Sequence, residues 1–394
     1  MPLFEKPILI AGAGPVGLSL ALALAKKGIA SHVFEKDEKL PDEIRASTFH
    51  AATMEKMAKW EVIDEVLEKG HKVHNLQFWD RQTRSIVGDF DYQHIEKDTP
   101  FPFRLQCPQH VYAGVLLERL KKEPLVKVHM SHKFLKAEEK DSYITASFQC
   151  AKEVKTYQGA LLCGADGAKS RVRESLGIGF EGMTYEDRFL LVGTDLDLEK
   201  YYPGISSVNY IFDPKEWVII LRLKNLLRIV FQVQKGQSND QALLDENIKR
   251  LVYGFCGEKV LFPILHKSIY SVHQRVAKTF RVGRSLLLGD AAHINNPASG
   301  MGMNSGILDA DYLAEKIELY GREKDAIHLD AYEEKRRAYA LERIKSYTKK
   351  RYEDMKAQTP KERESRNLQF QSESRSPIEA RKFLLQASML EHRI

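Results

Sequence analysis

The chain has 394 residues, 43% of them hydrophobic and 29% charged, enough apolar material for two or three domains or one large composite unit. That balance excludes a wholly disordered chain. The 60 basic and 54 acidic residues leave a net charge of +6, a mild excess that favours anionic ligands without indicating nucleic acid.

Four scattered cysteines (Cys107, Cys150, Cys163, Cys256) form no CxxC pair. A disulfide scaffold and a structural zinc are therefore not expected, no metal site is assigned, and a reducing cytoplasm is the simplest setting. No apolar run approaches the ~18 residues of a membrane span.

In chain order, Pro7 to Ala11 is a short apolar run of the kind that forms a buried parallel strand. Gly12-x-Gly14-x-x-Gly17 follows, then a helical run stopped by Gly28, then a second apolar strand, His32 to Phe34, ending at Glu35. This is a βαβ start, and it predicts a parallel sheet. From about Val126 to Leu162 short alternating strands, such as Tyr143 to Cys150, suggest a small inserted antiparallel sheet. A second β-rich block runs from Phe189 to about Val233. Within it two apolar runs flank Lys224-Asn225 and read as a hairpin.

Ser285 to Leu288 returns to a buried strand and enters a second glycine-rich loop, followed by a helix near Ser305 to Leu319. Asp325 to Met355 reads as helix, with Tyr332, Leu341, Ile344 and Tyr347 near one stripe. Lys335-Arg336-Arg337 and Lys349-Lys350-Arg351 read as solvated helix faces. Residues 357–375 are polar and read as a loose linker. Ser376-Pro-Ile-Glu379 is a capping box opening a C-terminal amphipathic helix, for which covering the core, pairing subunits and meeting a membrane surface all stay open.

The glycine loop carries the first chemistry. Gly12 permits the tight turn, Gly14 lets backbone approach a pyrophosphate, and Gly17 lets helix and strand pack. Helix N–H groups then face the phosphates, and Glu35 can accept hydrogen bonds from ribose hydroxyls. This motif alone does not choose between NAD and FAD. Two further segments do: Gly164-Ala-Asp166-Gly167, with Ser170 and Arg173 beyond it, and Gly289-Asp290-Ala-Ala-His293 followed by Pro297, Gly300, Gly302, Met303 and Asn304.

Together these motifs resemble the class A FAD-dependent monooxygenases of the para-hydroxybenzoate hydroxylase type. The resemblance implies an α/β fold: a Rossmann-type FAD-binding domain from residues 1–180 and 275–325, an inserted β-rich substrate domain at 181–274, and a C-terminal helical region at 326–394. It implies cofactor contacts from Gly12, Gly14, Pro15, Val16, Gly17, Glu35, Lys36, Arg45, Gln109, Asp166, Gly167, Asp290, Gly300, Gly302, Met303 and Asn304. In that family Asp166 and Gly167 serve both FAD and the reduced nicotinamide, Asp290 meets a ribityl hydroxyl, and the N–H groups near Met303 and Asn304 face the N1/O2 side of the flavin. Arg173 would anchor its loop or reach phosphate. The carbonyl of Pro297 would form part of the substrate-side wall, the one catalytic position assigned. Asn296 stands where the family often has a first proline, and Ser299-Gly300 where it often has two glycines, so no particular substrate carries over.

His293 reads as a structural histidine behind the site. The hairpin around residues 208–234 is the expected roof of the substrate site, with Tyr210, Ile220 and Arg222 as candidates, and His273 as another on a later strand. The activity implied is hydroxylation of an aromatic or other electron-rich small molecule by NADPH or NADH and O2, through a flavin C4a-hydroperoxide, in a cytoplasmic enzyme, with a homodimer as one arrangement. An FAD-dependent reductase or dehydrogenase and a halogenase are the alternatives on the same fold. The WxWxIP segment of halogenases is absent, and an NAD-dependent dehydrogenase would leave Asp166-Gly167 and Gly289-Asp290 without a task.

Overall fold

The computed structural model describes residues 2–42, 46–214, 216–296, 300–344, 354 and 359–391. Its first sheet has six strands in the order β18 (Arg281–Val282), β19 (Ser285–Leu287), β12 (Leu162–Gly164), β1 (Ile8–Ala11), β2 (Ser31–Phe34) and β8 (Val126–His129). All pairs from β19 to β8 are parallel, and only β18 runs antiparallel. Strands buried on both faces need no polar alternation, and β1, β12 and β19 are buried throughout. Helices α1 (Pro15–Ala25) and α8 (Met301–Glu323) pack on each other beside this sheet.

The second sheet has eight strands: β20 (His293–Ile294), β17 (His266–Ala277), β13 (Phe180–Thr194), β16 (Leu227–Gln232), β15 (Val218–Arg222), β14 (Val208–Phe212), β5 (Asn75–Asp80) and β6 (Ser85–Asp91). Strands β5 and β6 come from the N-terminal stretch that the sequence reading left with the cofactor domain, and β14 pairs with β5 in parallel. Lys224-Asn225 makes the tight turn, closed by Leu223 N–H donating to Leu226 O at 2.7 Å. Two small sheets complete the β structure: β3 (Thr48–Phe49), β7 (Arg104–Gln106) and β4 (His71–Val73), and the antiparallel insert of β9 (Lys133–Glu139), β10 (Ile144–Cys150) and β11 (Glu153–Gly159).

The remaining helices are α2 (Ala51–Lys59), α3 (Ile63–Lys69), α4 (Gln109–Leu120), α5 (Arg171–Ser175), α6 (Asn239–Leu243), α7 (Asp245–Cys256) and α9 (Ile327–Ala338), then α10 (Pro360–Arg375) and α11 (Pro377–Ala387). Among the described residues no helix is long and apolar enough to cross a membrane.

The C-terminal part departs from expectation. The linker read at 357–375 is largely helix α10, opened by a capping box in which Thr359 accepts from Glu362 N–H and Glu362 reaches back to Thr359 N–H. Its polar surface hides one apolar anchor. Phe370 stacks on Phe78 at 4.1 Å between ring centroids, and Phe383 of α11 stacks on Phe90 at 3.9 Å. Helix α11 thus covers the core; Ser376 caps it on Glu379 N–H, but the Ser376 N–H is taken by Ser372 O at 3.2 Å, so the expected box is only half formed. The basic run of α9 is not a solvated face either. Arg336 is buried, and Arg337 donates to Ala277 O at 3.1 Å. Tyr332 is buried and Leu341 exposed, so that stripe is broken where the helix widens to a π-turn at Tyr339–Ile344. Tyr347 and Lys349-Lys350-Arg351 lie outside the described residues.

Candidate active site

The glycine loop sits at the carboxyl end of β1. Gly12 has φ +102°, and a Cβ there would stand 2.4 Å from Ala165 O. A Cβ on Gly17 would meet Gly12 O at 2.0 Å. Both glycines are held by the protein's own packing. A Cβ on Gly14 would meet nothing within 4 Å, so this position faces open space. Gly14 caps α1 with extended backbone and no side chain, Pro15 occupies the first turn, and the helix N–H groups are left for an outside acceptor. Val16 turns inward and packs on Gly289 and Gly306.

Glu35, 8% exposed, folds back on this loop. Its Oε2 accepts from Ala13 N–H at 2.9 Å and its Oε1 from Asp37 N–H at 3.2 Å, which leaves a lone pair on each oxygen for a further donor. Lys36 is exposed and pairs with Asp37 at 3.5 Å. A cavity of about 540 Å³ opens alongside, lined by Met130, Ser131, His132 and the β10–β11 turn. A second, of about 350 Å³ around Arg81 and Glu216, involves none of the sequence-derived site residues.

Asp166 is occupied by its own loop. It accepts from Ser170 Oγ at 2.5 Å and from the N–H groups of Arg171 and Val172 at 2.7 and 3.1 Å, capping α5. Burial raises its carboxyl, against the pull of these donors. Gly167, at φ +79°, faces open space. Arg173 anchors the loop: it donates to Ala168 O and Ala291 O, both at 2.9 Å, and lies 3.8 Å over the Phe180 ring. It therefore ties the Asp166 loop to the turn that carries Asp290. That turn is a single 3₁₀ turn, Gly289–Ala291, in which Asp290 is exposed between two buried neighbours.

The N-terminus of α8 supplies the third edge. Gly300, at φ +67°, is its N-cap, and a Cβ there would stand 3.1 Å from Thr48. Gly302 faces open space as Gly14 does. Met303 is buried. Asn304 is wholly buried and its side chain is engaged at both ends within the protein: Oδ1 accepts from His50 N–H at 2.9 Å, and Nδ2 donates to Thr48 O and Gly300 O, both at 2.8 Å. Any contact from Asn304 to a ligand is thus left to its backbone. Gln109 opens α4, half-buried, with its N–H on Ala46 O at 2.9 Å. Arg45 and Pro297 lie outside the described residues.

The register of the eight-stranded sheet divides the substrate candidates. Phe78, Tyr210, Ile219, Val230 and Leu191 form one row and share the core of the six-stranded sheet. Ile220 pairs with Asn209 and Ile229 on the other face and packs in a separate core with Val252 and Phe255 of α7. Tyr210 and Ile220 therefore cannot line one site, because the pleat alternates. Arg222, two residues on, shares the outward parity of Ile220. His273 is half-buried and pairs through Nδ1 with Thr184 Oγ1 at 2.9 Å.

On the inward face lies a residue the sequence reading passed over. Arg228 is 5% exposed, with Nη1 donating to Ser47 Oγ at 3.0 Å. Burial pulls its guanidinium down to about 10, so it is cationic at neutral pH. Ser47 precedes Thr48, which touches Gly300, so a buried cation stands two contacts from the α8 N-terminus. A lone arginine inside the apolar strand Leu-Arg-Ile-Val-Phe was its signal in the sequence. His293 sits behind the Asp290 turn, with Nε2 on Asp309 Oδ2 at 2.7 Å, the structural place read for it.

These residues fit a bound FAD. Two open glycines, Gly14 and Gly302, stand at two helix N-termini, and Glu35 flanks the first of them.

The comparisons with known proteins agree. The FAD binding domain family matches residues 5–346. The para-nitrophenol 4-monooxygenase of Pseudomonas sp. strain WBC-3 is 28% identical over 391 residues, covering 98% of this chain and 96% of its own. The crystal structure of p-nitrophenol 4-monooxygenase from Pseudomonas putida DLL-E4 superposes with a TM-score of 0.91 at 27% identity, covering 99% of both chains. The 3-(3-hydroxy-phenyl)propionate/3-hydroxycinnamic acid hydroxylase of Escherichia coli O81 is 30% identical over 84% of this chain, which spans 59% of that longer relative. With a family match across residues 5–346 and end-to-end likeness in sequence and fold to a para-nitrophenol 4-monooxygenase, the chain belongs to the family of FAD-dependent aromatic hydroxylases.

Proposed function

We propose that this protein hydroxylates a phenol-type aromatic substrate, with NADPH or NADH as reductant and O2 as oxygen source. The observation that carries this reading is the end-to-end likeness to the para-nitrophenol monooxygenases, in sequence and in fold. When bound, FAD supplies the redox and oxygen-transfer chemistry.

The chain's own residues bind, orient and shield. The α1 N-terminus at Gly14 and Pro15, with Val16 packed behind it, holds the pyrophosphate, and Glu35 takes ribose hydroxyls while Lys36 stays at the rim. Asp290 takes the ribityl chain, with Gln109 beside it, and Gly300, Gly302, Met303 and Asn304 present backbone N–H groups to the negative edge of the reduced ring. Asp166 and Gly167 shape the loop between these parts, and Arg45 and Pro297 keep their family roles as expectations. Arg228 holds an anionic oxygen on the substrate, with Tyr210 on the same sheet face. The inward row of apolar and aromatic side chains excludes water from the reacting centre. Residues 1–180, apart from β5 and β6, and 275–325 then form the cofactor unit. The 181–274 block, with β5 and β6, forms the substrate unit. A homodimer and a cytoplasmic location belong to the same reading.

Purified protein should be yellow with oxidised-flavin bands. A panel of phenols should stimulate NAD(P)H oxidation, with label from ¹⁸O2 appearing in the product. Turnover without oxygen and without label would replace this reading with that of a flavin reductase.

A further inference from the structure

Arg336, in the middle of a basic run, is 7% exposed. Its Nε donates to Asp309 Oδ1 at 2.5 Å, and its Nη2 donates to Oγ and O of Ser305 at 3.0 and 3.2 Å. Asp309 is fully buried. Its Oδ2 accepts from Gly289 N–H at 3.0 Å and from His293 Nε2 at 2.7 Å. One helical turn before Arg336, Tyr332 donates its hydroxyl to Leu287 O at 2.8 Å. Helix α9 therefore grips β19 and the Gly289–Asp290 turn at two successive points.

The turn has little freedom to move. Gly289 has φ +59°, and a Cβ on it would stand 3.1 Å from Val16. A Cβ on Gly306 would stand 2.6 Å from Val16 and 3.0 Å from Gly289 Cα. The phosphate-loop helix, the turn and α8 are thus in mutual contact, and Asp309 pins the turn from behind. Burial alone would raise the Asp309 carboxyl; Arg336 and then His293 outweigh it and hold it well below the usual carboxylate range, so the pin is charged.

We propose that Arg336, acting through Asp309, is a positioning residue for the flavin: helix α9 fixes where Asp290 stands and so how tightly FAD is held. The proposal rests on FAD binding by this family and goes beyond it by making helix α9 part of the support of the cofactor site.

The test compares wild type with Tyr332→Phe, Arg336→Met, Arg336→Lys and the double variant Asp309→Asn/Arg336→Met. Each is stripped of flavin. FAD Kd by fluorescence, visible circular dichroism of the rebound flavin and the Tm of the apoprotein are then measured. Tyr332→Phe should raise Kd about fivefold, the loss of one hydrogen bond. Arg336→Met should raise it roughly tenfold to hundredfold and alter the flavin dichroism, because a buried carboxylate loses its cation. Arg336→Lys should recover part of the loss, keeping the charge without the fork. The double variant should bind better than Arg336→Met alone, since no charge is left stranded.

Folded Tyr332→Phe and Arg336→Met proteins that bind FAD within about twofold of wild type, with unaltered flavin dichroism, would overturn the proposal. A lower apoprotein Tm with unchanged Kd would overturn it too, leaving α9 a purely structural brace. If Arg336→Met does not fold, an unchanged Kd in both Tyr332→Phe and Arg336→Lys decides against it. Wild-type protein that takes up no FAD would instead overturn the family's cofactor reading, and this proposal with it.

Discussion

Glu35 and Ala13 meet across the glycine loop, the carboxylate of one accepting the amide of the other at 2.9 Å. The acid at the end of β2 thereby shapes the loop that it flanks, besides keeping a lone pair on each oxygen for a further donor. Removing the carboxylate should cost on both counts. Glu35→Ala is expected to raise the FAD Kd about tenfold, and Glu35→Gln less, since Gln keeps one acceptor oxygen. Fluorescence titration of apoprotein checks both.

The glycines of the loop separate fold from ligand. A methyl at Gly17 would strike Gly12 O at 2.0 Å, whereas one at Gly14 would meet no protein atom. Gly17→Ala should therefore lower the apoprotein Tm by several degrees, a destabilisation of roughly 1–3 kcal/mol. Gly14→Ala should leave the apoprotein Tm nearly unchanged and cut FAD occupancy. Thermal unfolding of flavin-free protein, beside the flavin-to-protein absorbance ratio, distinguishes the two.

Arg228 is expected to select for anionic substrates. Arg228→Met should lower kcat/KM for phenols ionised at the assay pH by about tenfold to hundredfold, the worth of a charged hydrogen bond, with a smaller loss for neutral phenols. Burial pulls its guanidinium down, yet an arginine keeps its charge throughout the working range, so the preference for an anionic oxygen should persist at every assay pH. Steady-state kinetics on an acidic and a neutral phenol check this.

Asp309 gives stability a pH dependence with a definite sign. Its carboxyl is held below the ordinary value of 3.8, so between the two values the folded state binds fewer protons than the unfolded. The contribution is fully present above about pH 4 and is lost as pH falls through the native value; it amounts to about 2 kcal/mol. Urea unfolding at pH 5 and pH 3 should show a steeper loss for wild type than for Asp309→Asn.

What could be read in the sequence was local. The turn at Gly12, the open position at Gly14, the helix start at Pro15 and the acid at Glu35 fall within 24 residues, and each rule involved acts over a few positions. The Lys224-Asn225 turn was legible for the same reason. The facing of Tyr210 and Ile220 was not. Pleating puts them on opposite sides, but only packing against α7 decides which side is outward. Arg336 was hidden because its partner, Asp309, lies 27 residues earlier on another helix, and a basic run alone looks solvated. Helix α10 was hidden because its large buried apolar side chain, Phe370, sits in an otherwise polar segment.

The order of strands in the parallel sheet bears on how the protein is made. Leu9 pairs with Leu162, and Leu162 with Ser285, so the centre of the sheet lacks a neighbour until Ser285 has left the ribosome. The brace at Tyr332 and Arg336 comes later still, and later again Ser388 accepts the amide of Ala52. Such long-range pairing folds slowly and exposes apolar strand edges meanwhile. Flavin supplied during expression should therefore raise the yield of soluble protein, because a ligand that binds only the closed cleft draws late-folding chains out of the aggregation-prone pool.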